Sequence, residues 1–127
     1  SWSSNRCYCS TAECISMLNL APIFEASKMS YPIPNRSIGN VMLQLSSETG
    51  EMCDWINRPW RQKEEFEGEC ADVINCVVDA LWLHFRNRHK NDTHVSDDEI
   101  SMMVTRALNE QIIVKTQKWK DAVNANV

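Results

Sequence analysis

Apolar side chains recur along this chain at intervals of three and four residues, the repeat of an α-helix that buries one side. No stretch of any length alternates in the period-two manner of a strand, and there is no internal repeat or low-complexity segment. The pattern divides into four helices. The first spans about Thr11 to Ala26, with Ser10 or Thr11 as its N-cap and Ile15, Leu18 and Phe24 as apolar positions. Tyr31-Pro32-Ile33-Pro34-Asn35 cannot be helical, because proline lacks an amide hydrogen and restricts the residue before it, so a connector follows. The second helix runs from about Ser37 to Asn57, with Ile38, Val41, Met42, Leu45, Met52 and Ile56 as its buried stripe and Glu48 and Glu51 beside it. In the third, from about Lys63 to Arg88, Val73, Ile74, Val77, Val78, Leu81, Trp82 and Phe85 cover one broad face. Glu65, Glu69, Asp72, Cys76 and Asp79 gather on the opposite face, with Asn75 at its edge. After the polar loop Asn91-Asp92-Thr93-His94, Ser96 and Glu99 have capping-box spacing. They open a fourth helix that reaches about Ala122 through Ile100, Met103, Val104, Ala107, Leu108, Ile112 and Val114.

These elements predict an all-α fold, a four-helix bundle with up-and-down or closely related connections. The 127 residues suit one domain, with residues 1–10 expected to form a flexible N-terminal segment. Three Gly, four Pro and a 43% hydrophobic content favour a packed helical protein over a disordered one. No apolar run reaches the roughly 18–20 residues needed to span a membrane. The first residues lack the apolar stretch of a signal peptide, so a cytoplasmic protein with no membrane contact is expected. A net charge of −4 without a basic tract argues against stable nucleic-acid binding. Of the six cysteines, Cys53, Cys70 and Cys76 fall within helical patterns and are expected to act as small buried apolar residues. Cys7-x-Cys9 with Cys14 lacks the paired spacing of a zinc site; free thiols are expected there, with a bridge or metal as the alternative.

Two short acidic pairs change the picture. Glu48-x-x-Glu51 and Glu69-x-x-Asp72 lie on either side of a break at Asn57-Arg58-Pro59. Spacing of i, i+3 puts both members of a pair on one side of a helix. A short connection favours antiparallel neighbours, which would bring all four carboxylates together. Like charges that close repel unless neutralised, and a hard, oxygen-seeking cation such as Mg²⁺ serves that purpose, with Mn²⁺ as a substitute. The bland alternative is a solvated helix face, since isolated E-x-x-E patterns are common. It leaves the arrangement of two pairs around one turn as a coincidence.

Leu45-Ser-Ser-Glu48-Thr-Gly50-Glu51-Met, followed by Glu69-Cys-Ala-Asp72-Val-Ile-Asn75, resembles the signature of the MazG-like nucleoside triphosphate pyrophosphohydrolases of the all-α pyrophosphatase superfamily. The resemblance runs from about Ser37 to Phe85 and extends weakly into Glu110-Gln-Ile-Ile-Val-Lys115-Thr-Gln-Lys118-Trp119. It implies a MazG-like bundle completed as a homodimer or homotetramer. It also implies Mg²⁺ held by Glu48, Glu51, Glu69 and Asp72, and cleavage of a nucleoside triphosphate to the monophosphate and pyrophosphate, a nucleotide-pool house-cleaning reaction. Glu48 and Glu51 are then catalytic candidates, with Glu48 favoured to activate water. The family commonly carries a further acidic residue just before E-x-x-E; here it is Ser47, which bears on whether a second metal binds.

Other residues are weaker candidates for holding substrate. Asn75 shares the side of Asp72, and Lys115 and Lys118 could hold phosphate, as could Arg58, Arg61 and Lys63 in the turn. Trp55 or Trp60 could stack on a base, helix packing being the alternative. Asp79 is expected at the surface, with an outer-shell metal or base contact as the alternative, Trp82 in a core or subunit contact, and the three histidines at the surface or in packing. No histidine follows a glutamate by three, which excludes a di-iron bundle. Two further readings stay open: a catalytically silent helical module that binds nucleotide, and a phosphoribosyl-ATP pyrophosphatase.

Overall fold

A computed structural model of the chain describes residues 17–126. The Ser10 and Thr11 caps, Ile15, the 1–10 segment and Cys7, Cys9 and Cys14 lie outside them. The described residues form helices α1 (Ala21–Ser30), α2 (Ile38–Asn57), α3 (Phe66–Arg88) and α4 (Asp97–Ala125), with a 3₁₀ turn at Pro59–Arg61 between α2 and α3. They contain no strand, and the fold is all-α as expected.

Helix α1 starts later than the apolar spacing predicts. Residues 17–20 are not helical, and Leu18 is 75% exposed rather than packed. Pro22 explains the boundary, since a proline in the first turn gives up an amide that has no helical partner there anyway. The Asn19 side chain accepts a hydrogen bond from the Ala21 amide (3.0 Å) at the same point. In the connector, Asn35 takes a left-handed conformation (φ 66°) that asparagine tolerates better than most residues. Ser37 then caps α2 by accepting from the Asn40 amide (3.2 Å). At α4 the predicted capping box is present, Ser96 and Glu99 each bonding the other's backbone.

Helix α3 is the centre of the bundle, with α2, α1 and α4 each packed against it. Val78, Trp82 and Leu83 of α3, Val41 of α2, and Ile100 and Val104 of α4 form the buried core. Trp82 is fully enclosed; its indole N–H donates to Ser101 Oγ (3.2 Å) and Tyr31 meets its ring edge-on at 5.8 Å. Arg86, which the sequence did not single out, is buried and clamps the α3–α4 turn. It donates to Asp97 Oδ1 (2.7 Å) and to the carbonyls of His89 (3.2 Å) and Val95 (3.1 Å).

Several expected core positions are exposed instead. Met42 and Ile56 of α2, Ile74 and Val77 of α3, and Ile112 and Val114 of α4 are between 38% and 59% exposed. The reason is geometric. For α4, packing on the core ends at Leu108, so its later apolar residues have no core neighbour among the described residues. Cys53 is also exposed, against expectation, while Cys76 is buried and Cys70 half-buried; all three are free thiols.

A core this small makes truncation costly. Trp82→Ala should lower stability by about 3–5 kcal/mol and Ile100→Val by about 1 kcal/mol. Urea unfolding midpoints followed by circular dichroism would measure both.

Candidate metal centre

The acidic side of α3 faces inward. Glu69 and Cys76 are buried and Asp72 and Asp79 half-buried, so this side lies against α2 and α1, and Asp79 is not the surface group expected. On α2 the stripe of Val41 and Leu45 continues directly into Glu48, so apolar packing at one end of the interface merges into carboxylates at the other.

The turn between the helices sets their register. Asp54, near the end of α2, pairs with Arg58 (3.8 Å) and Arg61 (3.6 Å), and its Oδ2 accepts from Gln62 Nε2 (3.0 Å). The Trp55 indole donates to the Glu64 carbonyl (2.9 Å) while its ring packs on Phe66 at 5.2 Å. Together these contacts fold the chain back so that the two acidic pairs meet. Glu48, Glu51, Glu69 and Asp72 each place one carboxylate oxygen within 4.8 Å of the others. Opposite oxygens around Mg²⁺ bonded at about 2.1 Å are about 4.2 Å apart, so small side-chain adjustments would suffice.

Two atoms within the cluster lack partners. Glu48 Oε2 and Glu69 Oε2 are buried and make no hydrogen bond among the described residues. A buried carboxylate oxygen without a donor is costly, and a cation satisfies it. Glu48 Oε1, by contrast, accepts from Gln44 Nε2 at 2.6 Å, which fixes the side chain's orientation. Gln44 sits four residues before Glu48, a spacing that could have flagged it from sequence.

The charges press on one another. The carboxyl of Glu64, beside Glu69, combines with burial and with Glu51 and Asp72 to push the Glu69 pKa up to about 7. Gly68 leaves room for this approach, since a Cβ there would lie 3.1 Å from Glu64 Oε1. Burial first, then the neighbouring Glu51 and Asp72, raises the Glu48 pKa as well, against the opposing effect of Gln44. Four hard oxygen donors, two of them unsatisfied and two protonated more readily than usual, fit a divalent cation.

The remaining candidates are placed differently. Asn75 lines a cavity of about 470 Å³ between α1, α2 and α3 that Gln44 connects to the acidic cluster. Arg61 is tied to Asp54, and Trp55 to Glu64 and Phe66. Lys115 and Lys118 are exposed on α4 beyond Leu108, and no ion pair among the described residues joins them to the carboxylates. Asp79 is not a free surface group: Ser27 Oγ donates to its Oδ1 (2.6 Å), and Arg36 Nη2 pairs with the same oxygen. Sequence reading missed Ser27 and Arg36, which are far from Asp79 along the chain and carry no local signal. The histidines form no ligand cluster among the described residues. Comparison with protein-family models, with curated proteins and with solved structures gives no match, so the reading of this centre rests on its own chemistry.

A raised carboxyl pKa gives the metal-free protein a defined pH dependence. Glu69 holds its proton more tightly folded than unfolded, so its contribution is fully present below about pH 4.5 and is lost as pH rises through about 7. Without divalent cations the melting temperature should therefore fall across this window. Added Mg²⁺ should restore it at pH 8 and have little effect at pH 4.5, where Glu69 already holds its proton. Differential scanning calorimetry with and without Mg²⁺ would show this.

Proposed function

We propose that this chain is a Mg²⁺-dependent nucleoside triphosphate pyrophosphohydrolase, as its MazG-like motif implies, with Mn²⁺ as a substitute metal. The observation that supports this most is the convergence of Glu48, Glu51, Glu69 and Asp72 from two helices, with two buried oxygens unsatisfied. When bound, the metal would neutralise charge on the phosphate oxygens of the substrate and on those of the departing pyrophosphate.

Glu48 suits the role of general base. Gln44 holds one of its oxygens and leaves the other free, and its raised pKa brings it closer to the value that favours proton transfer near neutrality. In the proposed step, the oxygen of a water molecule bonds to the α-phosphorus as its proton passes to Glu48. The bond from the α-phosphorus to the α–β bridging oxygen breaks, and the electron pair leaves with pyrophosphate. Glu51, Glu69 and Asp72 would hold the cation together with Glu48, and Glu51 would share the base role. Ser47 is exposed and supplies no fifth carboxylate, so one metal per site is the simpler assignment.

The same reading makes the protein a cytoplasmic homodimer or homotetramer. Val77 of α3 and Met102, Ile113 and Trp119 of α4 are apolar and exposed, a surface that a second copy would cover. It would also offer Lys115 and Lys118 a route to a neighbour's phosphate. Among the described residues, no helix is long and apolar enough to cross a membrane.

Incubation with a panel of nucleoside triphosphates and Mg²⁺ should release pyrophosphate, not orthophosphate. Glu69→Gln and Asp72→Ala should each reduce kcat by at least about 100-fold while the helical circular dichroism is kept, because a ligand or charge needed in the transition state is lost. Near-normal turnover in a folded Asp72→Ala variant would refute the site.

A further inference from the structure

The cavity beside the acidic cluster is walled by Pro22, Ile23 and Ala26 of α1, Val41 of α2 and Cys76 of α3, and its size falls within the range of small-molecule sites. Polar residues complete the lining, Ser30 and Asn40 among them. Gln44 and Asn75 stand on the side of the cluster, whereas Arg36, Ser27 and Asp79 form a linked group elsewhere on the wall. Among the described residues no Phe, Tyr or Trp lines it, so these would grip a flat ligand by aliphatic walls and by hydrogen bonds along its edge, not by aromatic stacking.

Arg36 and Asp79 are half committed to each other. Asp79 uses Oδ1 for both Ser27 and Arg36, and no hydrogen bond is made by its Oδ2 among the described residues. On Arg36, Nη2 serves Asp79, while Nη1 is buried with no acceptor. Guanidinium only donates and carboxylate only accepts, so the pair offers one buried, unmet donor beside a carboxylate oxygen that no described residue uses. Leaving a buried donor unmet is unfavourable, and a ligand that brings the matching acceptor relieves it.

Resting on the pyrophosphohydrolase reading, we propose that this cavity receives the nucleoside end of the substrate. In it the Arg36–Asp79 pair determines specificity by hydrogen bonding to the polar edge of the base. The triphosphate then extends past Gln44 and Asn75 to the four carboxylates. A site that selects through edge hydrogen bonds rejects a base that lacks them far more strongly than a stacking site does.

The test is binding, without metal or turnover. The full chain is titrated with the 5′-monophosphates of the common nucleosides and of purine riboside, whose base carries no exocyclic carbonyl or amine. Amide chemical shifts report the location and calorimetry the affinity. Shifts confined to residues around Ser27, Val41, Cys76 and Asp79 are expected, with at least one common nucleotide bound ten-fold or more tighter than the purine riboside analogue. Replacing the pair together, Arg36→Met with Asp79→Leu, should abolish that preference without leaving a buried unpaired charge. If this variant does not fold, Arg36→Lys decides: it keeps the charge beside Asp79, loses the forked donors, and should reduce the preference several-fold.

Shifts located elsewhere, no binding at all, or a preference unchanged in the folded variants would overturn the proposal. Nucleotide turnover by a wild-type chain that shows no cavity binding would remove this inference and leave the hydrolase reading standing. Cavity binding without Mg²⁺-dependent turnover would do the reverse.

Discussion

Repulsion among four carboxylates at the α2–α3 junction is the constraint around which the rest of the chain is arranged. Left free, such a cluster would drive the helices apart. Val41 and Leu45 from α2 pack with the α3 core on one side of it, and the Asp54-centred turn closes the other. The carboxylates are thus held close between two anchored ends and cannot relax by separation. What remains is proton uptake or cation uptake, and the raised pKa values of Glu69 and Glu48 record that choice in the metal-free state.

Much of this was readable from residue order because it is local. Helix boundaries followed from Ser37, the Ser96–Glu99 box and the Pro59 break, all of which act within one turn of backbone. The acidic pairs were legible for the same reason. Pro22 was equally local, yet the apolar spacing of Ile15, Leu18 and Phe24 drew the first helix too early.

Orientation was harder to see. Periodicity assigns the apolar side of a helix to the interior, so Ile74 and Val77 of α3 were expected in the core and Asp79 at the surface. A helix surrounded on several sides has no single interior face, and there the polar stripe is also enclosed. The Arg36–Asp79–Ser27 group was beyond sequence reading, since residues from α1, α3 and the connector before α2 meet only once the bundle has formed. The apolar residues of distal α4 have the spacing of a core stripe, but no core neighbour meets them among the described residues.

The central position of α3 has one more implication. Its three partners each pack on it, and α1 meets α4 through an exposed ion pair between Lys28 and Asp98 (3.0 Å), the kind that contributes little. The bundle is therefore arranged as spokes around a hub. Substitutions on the parts of α2 and α4 outside the shared core should combine additively in stability. Changes within α3 should instead couple to every spoke, so sequence drift can reshape α4 or its surface while the carboxylate cage on the opposite spoke stays intact.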